Sequence, residues 1–239
     1  VNYIKNKDEV QGLSKTEGIY DLEIGIGVKN IIDLHIFLKD FDNKFEKCIN
    51  EKAISIVVER VYFRRNGLTQ QNKDNSKERH IHQKNSNIKI NNLDLKILSE
   101  LNRNSRITLV ELSKKTNASI ETIVKRIKNL EKNEIILKYS IGWNYEKINQ
   151  IRYNILIKLH RLTDKKWENF LNFCAKTPGI FKIHRILGEW DAEINLETSN
   201  YYEYKKIVGD IEHSFSDIIK EKYPHIIHTF YKYNSIPLV

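Results

Sequence analysis

The sequence contains an internal repeat: residues 18–63 align with residues 188–233, without a gap, when the chain is shifted by 170 positions. Eleven of the 46 aligned positions are identical, far more than unrelated segments share. A repeat constrains the fold strongly, because its two copies are expected to form the same elements in the same order. The identical positions of the first copy are Gly18, Asp21, Glu23, Ile24, Asn30, Asp40, Phe45, Ile49, Glu51, Lys52 and Ile56.

The second copy, together with the residues before it, predicts a complete βαββαβ unit. Strands are expected where β-branched and aromatic residues concentrate, and helices where apolar residues recur at helical spacing. Pro178 and Gly179 end the first helix, and Asn200 suits the N-terminal cap of the second. This order is that of a ferredoxin-like domain, an antiparallel sheet backed by two helices. The expected strands are 151–160, 180–187, 192–198 and 226–233, and the first helix is 163–176.

The first copy predicts a truncated version of the same unit. Strands are expected over 10–16, 22–28 and 54–63, with a helix after Asn30. Residues 1–7 predict the end of a first helix, and no opening strand precedes them. Two glycines at 25 and 27 interrupt the second strand, and we therefore expect this copy to lack a ligand-binding role.

Positive charge concentrates between the two copies. The net charge is +9, of which residues 64–92 carry +5 and residues 93–143 carry +4. Clustered basic charge is typical of nucleic-acid binding, although a basic soluble protein with a flexible linker would show it as well. Residues 64–92 have few apolar residues and no periodicity, which predicts a flexible linker.

Residues 93–143 predict three short helices in helix-turn-helix arrangement. The first, 93–102, places Leu93, Ile97, Leu98 and Leu101 on one face. The second spans 108–116, and the third begins after Ser119 and runs to about residue 132. Only two residues separate these helices, which is helix-turn-helix spacing. Residues 134–139 suit a small β wing.

The third helix has an apolar face and a basic face. Ile120, Ile123, Ile127 and Leu130 share a narrow arc that is expected to pack into the core. A basic polar face suits the major groove of DNA, because its first residues reach base edges and its later lysines meet phosphates. A solvated helix face is the alternative, but the spacing and the local charge favour DNA binding. The candidate DNA-contacting residues are Ser119, Glu121, Thr122, Lys125, Arg126, Lys128 and Lys132.

This segment resembles the winged helix-turn-helix of the leucine-responsive regulator (Lrp/AsnC, or feast/famine) family. The βαββαβ unit resembles that family's effector-binding and assembly domain, with ILGEWDAEI (186–194) at the place of its Gly-x-x-Asp turn. In one departure, Glu134 stands where the family usually has Gly, and we expect Asn133 to take a left-handed conformation instead. The matching stretches are LDLKIL (93–98), NSRIT (104–108), ELSKKT (111–116), SIETIVKRIKNLE (119–131) and EIILKYS (134–140).

The resemblance implies an α+β protein in which a winged helix-turn-helix lies between two ferredoxin-like βαββαβ regulatory domains, the first incomplete. The expected order is a truncated regulatory domain (1–63), a basic linker (64–92), the DNA-binding domain (93–143) and a regulatory and assembly domain (144–239). Because the chain begins within a predicted helix, we expect a longer protein that alternates winged helix and regulatory domain twice. The expected assembly is a homo-oligomer or an intrachain pseudo-dimer.

The resemblance also implies a small-molecule effector, such as an amino acid, near Gly188, Trp190 and Asp191. Asp191 would accept an ammonium group, backbone N–H groups at Gly188 would receive a carboxylate, and Trp190 would cover an apolar side chain. The alternative is a structural turn, in which Gly188 permits a tight bend and Asp191 bonds backbone amides.

Other function classes fit the sequence less well. An amino-acid-binding regulatory module without DNA-binding activity is the runner-up, since a ferredoxin-like fold does not fix function. An enzyme is not expected, because the sequence lacks a Gly-rich phosphate loop, a metal-ligand cluster and a nucleophile elbow. We therefore expect no catalytic residues, metal or cofactor. No apolar run reaches membrane-spanning length and the first residues lack a signal-peptide core, so a cytoplasmic location is expected. Cys48 and Cys174 are expected to be buried thiols.

Overall fold

A computed structural model describes residues 1–63, 65, 77–81, 89–137, 139 and 142–233 of the protein. The helices are α1 (Asn2–Lys5), α2 (Ile31–Phe45), α3 (Asn92–Arg103), α4 (Leu109–Thr116), α5 (Ile120–Lys132), α6 (Asp164–Lys176) and α7 (Tyr201–Phe215). The strands are β1 (Val10–Glu17), β2 (Leu22–Ile26), β3 (Ser55–Phe63), β4 (Lys77–Ile81), β5 (Ile151–Leu159), β6 (Ile180–Gly188), β7 (Ala192–Thr198) and β8 (Ile219–Tyr233). None of these helices combines the length and the apolar character that crossing a bilayer requires.

All eight strands belong to one sheet, in the order β2-β1-β8-β5-β7-β6-β3-β4. Its centre, β8-β5-β7-β6, is the ferredoxin-like arrangement predicted for the second copy, with α6 and α7 on one face. Phe170 and Leu171 of α6 and Ile194 of β7 are fully buried in the core between helices and sheet. Asn200 caps α7 as predicted, its side chain accepting from the Glu203 N–H (2.9 Å).

The first copy does not form a sheet of its own. Its β1-β2 hairpin pairs with β8 at one edge of the central sheet, and its β3 pairs with β6 at the other edge. In the second copy, the opening strand β5 connects β8 to β7. The first copy has no such strand among the described residues, so its own strands are separated and each pairs with the other copy.

The β1-β8 and β3-β6 strand pairings are the two seams that join the copies, and they are related by pseudo-two-fold symmetry. Glu17 opposite Ile226 in the β1-β8 seam corresponds to Leu187 opposite Ile56 in the β3-β6 seam, under the same shift of 170 positions. The equivalent turn glycines behave alike. A Cβ at Gly18 would lie 2.7 Å from the Cβ of His225, and one at Gly188 would lie 2.3 Å from the Ile54 carbonyl oxygen. Each glycine thus allows the backbone of the other copy to approach.

Several sequence predictions need correction. Part of the predicted linker is strand β4, which pairs with β3 and whose Lys77 reaches Glu168 on α6 (2.7 Å). The last strand begins at Ile219 rather than 226, because it continues the pairing with β5. Cys174 is buried as predicted, but Cys48 is exposed. The rest of the predicted linker, 64–92, lies largely outside the described residues.

Candidate nucleic-acid interface and ligand turn

Local capping residues define the helix-turn-helix. Thr108 and Glu111 form a reciprocal capping box that starts α4, and Asn117 ends it in a left-handed conformation (φ 54°). The Ser119 side chain accepts from the Thr122 N–H (3.2 Å) and starts α5 as predicted. Asn and Ser are suited to these positions, because Asn tolerates left-handed backbone and Ser satisfies an otherwise unpaired helical N–H.

A small apolar core fixes α5 against α3 and α4. Its buried residues include Ile97, Leu112, Ile123 and Leu130. Ile120, which was predicted to join this core, is 42% exposed because it lies in the first turn of α5, beyond the reach of α3 and α4. The buried arc therefore begins at Ile123, one turn later than predicted.

The opposite face of α5 is exposed and basic. Lys125, Lys128 and Lys132 are exposed, as are Ser119, Glu121 and Thr122. None of the three lysines has an ion-pair or hydrogen-bond partner in the described part of the chain. A free ammonium group on an exposed helix face can contact a phosphate or a base edge without first breaking an internal ion pair.

Arg126 differs from the other candidate DNA contacts. Its Nε lies 3.2 Å from Oδ1 of Asp94, a buried carboxylate on α3 that also takes part in the Asn91 capping box. The guanidinium is thereby directed towards α3 and away from the exposed face. Arg126 positions α5 against α3 in this structure, a role that the basic character of the segment did not reveal.

The segment after α5 differs from the predicted wing. Residues 134–137 and 139 form turns and irregular backbone rather than strands. Glu134 itself takes the left-handed conformation (φ 56°), whereas Asn133 does not (φ −92°), so the prediction for these two residues was wrong. The Tyr139 hydroxyl donates to Glu131 on α5 (3.0 Å) and holds this segment against the helix. Burial, followed by that hydrogen bond, raises the pKa of Tyr139 to about 12.

The Gly188–Asp191 turn has structural contacts at each predicted ligand residue. Gly188 (φ 143°) lies against the Ile54 backbone at the β3-β6 seam. The Asp191 carboxylate accepts from the Leu159 N–H (2.7 Å), and the Asp191 N–H donates to Ile157 (2.9 Å). These bonds join the turn to β5, as the structural alternative requires.

The Trp190 side chain of this turn is buried and lies at the edge of a cavity. Its indole is 4% exposed, with the Tyr223 ring 4.8 Å away and the Lys158 ammonium 4.9 Å from the ring centroid. It borders a solvent-open cavity of about 2180 Å³ that also reaches Lys182, His184, Glu193 and His225.

These four residues lie on a buried polar face of the sheet, on the side opposite the helices. This polar face was not predicted from the sequence. Polar residues at alternate positions of IFKIHRI (180–186) and AEINLE (192–197) were the available signal. Such alternation ordinarily indicates a solvent-facing side of a sheet. The face is covered because the sheet curls: Glu23 of β2, three strands away, accepts from Asn154 of β5 (3.0 Å).

A basic, exposed second helix of a helix-turn-helix, followed by a ferredoxin-like domain, defines a class of DNA-binding regulators. A sequence profile described as winged helix-turn-helix DNA-binding matches residues 90–136. An uncharacterized HTH-type transcriptional regulator of Pyrococcus horikoshii is 33% identical over 122 residues, covering 51% of this chain and 81% of that protein. The leucine-responsive regulatory protein of Haemophilus influenzae is 31% identical over 135 residues, covering 56% and 81%. The chain belongs to the Lrp/AsnC family of transcription regulators.

Solved structures share the fold. The transcriptional regulator NMB0573 of Neisseria meningitidis, solved as a complex with L-Met, superposes with a TM-score of 0.55 at 23% identity, covering 63% of this chain and 97% of that one. An AsnC family regulator of Agrobacterium tumefaciens gives a TM-score of 0.54 at 18% identity, covering 62% and 95%.

Proposed function

We propose that this transcription regulator recognises specific double-stranded DNA through the exposed face of α5. The supporting observation is a set of three lysines that have no partner among the described residues, on a helix whose opposite side packs in the core. Glu121, Thr122 and Lys125 lie in the first turns, where base edges come within reach, and Lys128 and Lys132 follow towards phosphates. Arg126 acts indirectly, by holding α5 against Asp94.

Two lysine substitutions test this assignment. Lys125→Ala should weaken binding to the specific site by about 1–3 kcal/mol while sparing non-specific DNA. Lys128→Ala should weaken binding to all sequences and reduce the salt slope by about 1, because one phosphate contact is lost. Mobility shifts over a salt series, on a site selected from random DNA, measure both effects. Lys205→Ala, on the exposed surface of α7, is the matched control, and affinities equal to the control in both variants would exclude this face.

We also propose that residues 1–63 are a truncated ferredoxin-like domain, which pairs with residues 144–239 as an intrachain pseudo-dimer. The symmetric registers of the two seams and the equivalent glycines at 18 and 188 support this proposal. Pairing between the copies then takes the place of pairing between two chains, and further association into a homo-oligomer would use other surfaces.

We propose that a small molecule, such as an amino acid, regulates DNA binding from the region of the Gly188–Asp191 turn. Trp190 supports this part of the proposal, because it joins the turn to a large cavity. Gly188 and Asp191 already contact the protein, and their contribution would be to position Trp190. A screen of the twenty amino acids for a change in operator affinity tests the response, and no change with any of them would exclude it.

A further inference from the structure

The polar face of the sheet forms a continuous row across four strands. Lys182 pairs in register with Asn195, Asn195 with Asn154, and Asn154 with His225. His184 and Glu193 form the adjacent pair, two residues further along β6 and two residues back along β7. Side chains opposite each other in such pairs are about 5 Å apart, so these six side chains make one surface.

This surface contains several polar atoms without a hydrogen-bond partner. Asn195 (1% exposed), Glu193 (8%) and His225 (5%) are buried, and Asn195 Nδ2, Glu193 Oε1 and His225 Nδ1 have none among the described residues. His184 Nε2 has none there either. Each such buried group costs about 1–3 kcal/mol. His184, Glu193 and His225 line the cavity, so their free atoms indicate that this wall is built for a polar molecule.

The free atoms separate into donors and acceptors. Lys182 and Asn195, side by side in one row, both present N–H donors. In the other row His184 Nδ1 contacts Glu193 Oε2 (2.9 Å). Burial works to raise the pKa of Glu193, but the hydrogen bond from His184 outweighs this effect, and the pKa is lowered. Burial, followed by the charge of Lys182, lowers the pKa of His184 to about 4, so His184 is neutral and donates through Nδ1. His184 Nε2 and Glu193 Oε1 therefore remain as acceptors.

The other copy leaves room in front of this surface. The positions equivalent to Lys182, His184, Asn195 and His225 in the first copy are Gly12, Ser14, Gly25 and Ser55. Gly12 and Gly25 line the same cavity as Lys182 and Glu193. If the first copy carried the large side chains of the second, they would occupy the space above the polar row. Divergence at these four positions therefore leaves space in front of the polar row, whereas Glu23, the equivalent of Glu193, is retained and reaches Asn154.

We propose that the polar face binds a small carboxylate that also bears a hydrogen-bond donor, namely an amino acid or the corresponding hydroxy acid. The carboxylate accepts from the Lys182 ammonium, which the buried Asn195 amide adjoins in the same row, and the ammonium or hydroxyl group of the ligand donates to Glu193 and His184. Trp190, at the cavity edge, contacts the side chain of the ligand. The regulatory meaning of this site rests on the proposed function, in which a small molecule controls DNA binding. The site places that molecule on the polar face rather than on the carboxylate of Asp191.

Calorimetry on the full chain tests the site without DNA. The probes are the twenty amino acids and matched hydroxy acids such as lactate and malate. At least one probe should bind, and Lys182→Gln should weaken it about tenfold or more, because a charge-assisted hydrogen bond is lost. Glu193→Gln should weaken an amino acid more than its hydroxy counterpart, because only the ammonium group needs the negative charge. Comparing the amino acids with the hydroxy acids in this way shows which of the two ligand classes the site binds.

A steric variant tests the same site without removing a polar group. A Cβ at Gly12 would have its nearest neighbour 3.9 Å away, so Gly12→Val should fold and place its methyl groups in the part of the cavity that Gly12 lines. We expect it to abolish binding, while Lys205→Gln and Gly209→Ala, remote from the cavity, leave it unchanged. No binding by any probe, or equal binding in wild type, Lys182→Gln and Gly12→Val, would overturn the site. Ligand binding that leaves operator affinity unchanged would uphold the site and refute the regulatory response instead.

Discussion

The two copies of the repeat share a turn, but in the described residues only the second copy supplies all four strands of a ferredoxin-like unit around it. Asp191 accepts from the Leu159 N–H of β5, a strand that has no counterpart in the first copy among the described residues. At the equivalent position, the Asp21 carboxylate has no hydrogen bond in the described part of the molecule. The backbone bond within the turn persists in both, from Thr16 N–H to the Asp21 carbonyl and from Ile186 N–H to the Asp191 carbonyl. The turn is thus a property of its hairpin, whereas the role of its carboxylate depends on the neighbouring strand.

The helices that follow the two turns differ in the same way. Ile207 of α7 is 6% exposed, within the core that α6 completes. Ile31, Ile32 and Ile36 of α2 are 60–63% exposed, and Phe37 is the one buried residue of that helix. In the described residues, the first copy has the short helix α1, the β1-β2 hairpin, α2 and β3, and its core is smaller than that of the second copy.

The largest expected effect concerns the seams that the copies share. Gly188→Ala should lower the free energy of unfolding by about 3 kcal/mol and Gly18→Ala by about 2 kcal/mol, because both Cβ atoms would collide with the other copy at positive φ. Urea denaturation measures both values, with Gly209→Ala, which meets open space, as the control. If only one of the two were destabilising, the seams would not be equivalent.

A smaller effect should separate the two turns. Asp191→Asn should destabilise by about 2 kcal/mol, because a charged acceptor of a backbone N–H is lost, whereas Asp21→Asn should change stability by less than about 0.5 kcal/mol. The same denaturation experiment compares them directly. Equal losses would show that the Asp21 carboxylate also stabilises its turn and that the two turns do not differ in this respect.

The smallest effect is expected on the exposed helix face. Ile36→Lys introduces the residue that stands at the equivalent position of α7, Lys206, and should change the melting temperature by no more than a degree or so, which corresponds to less than about 0.5 kcal/mol. Size-exclusion chromatography should show the same molecular size for both proteins. A clear loss of stability or a smaller particle would mean that another surface covers α2 in solution.

Features that depend on neighbouring residues, such as helix caps, were predictable from the sequence. Features that depend on contacts between distant elements were not. Asn200, Ser119 and Asn30 were identified as caps, since a cap depends on residues within one turn. Strand β4 was missed because KERHI has little strand propensity of its own and forms through pairing with β3 and through ion pairs of Lys77 and Arg79 with Glu168.

The same distinction between local and tertiary features applies to the candidate sites. The exposed lysines of α5 follow from helical periodicity, which needs no knowledge of the rest of the fold. The bond between Arg126 and Asp94 and the burial of the Lys182–Glu193 face both depend on which elements meet, and the latter also requires that β2 curl over β5. Sequence alternation alone cannot distinguish a face covered by another strand from one covered by water.

Joining both halves of the paired sheet in one polypeptide changes how the assembly responds to dilution. A dimer of separate chains is favoured by mass action, and its folded population falls as its concentration falls. Here each seam closes within the molecule, at an effective concentration that the intervening chain sets and that dilution leaves unchanged. A regulator present in a few copies per cell would keep this sheet intact, and a substitution in one half would always face an unaltered partner half.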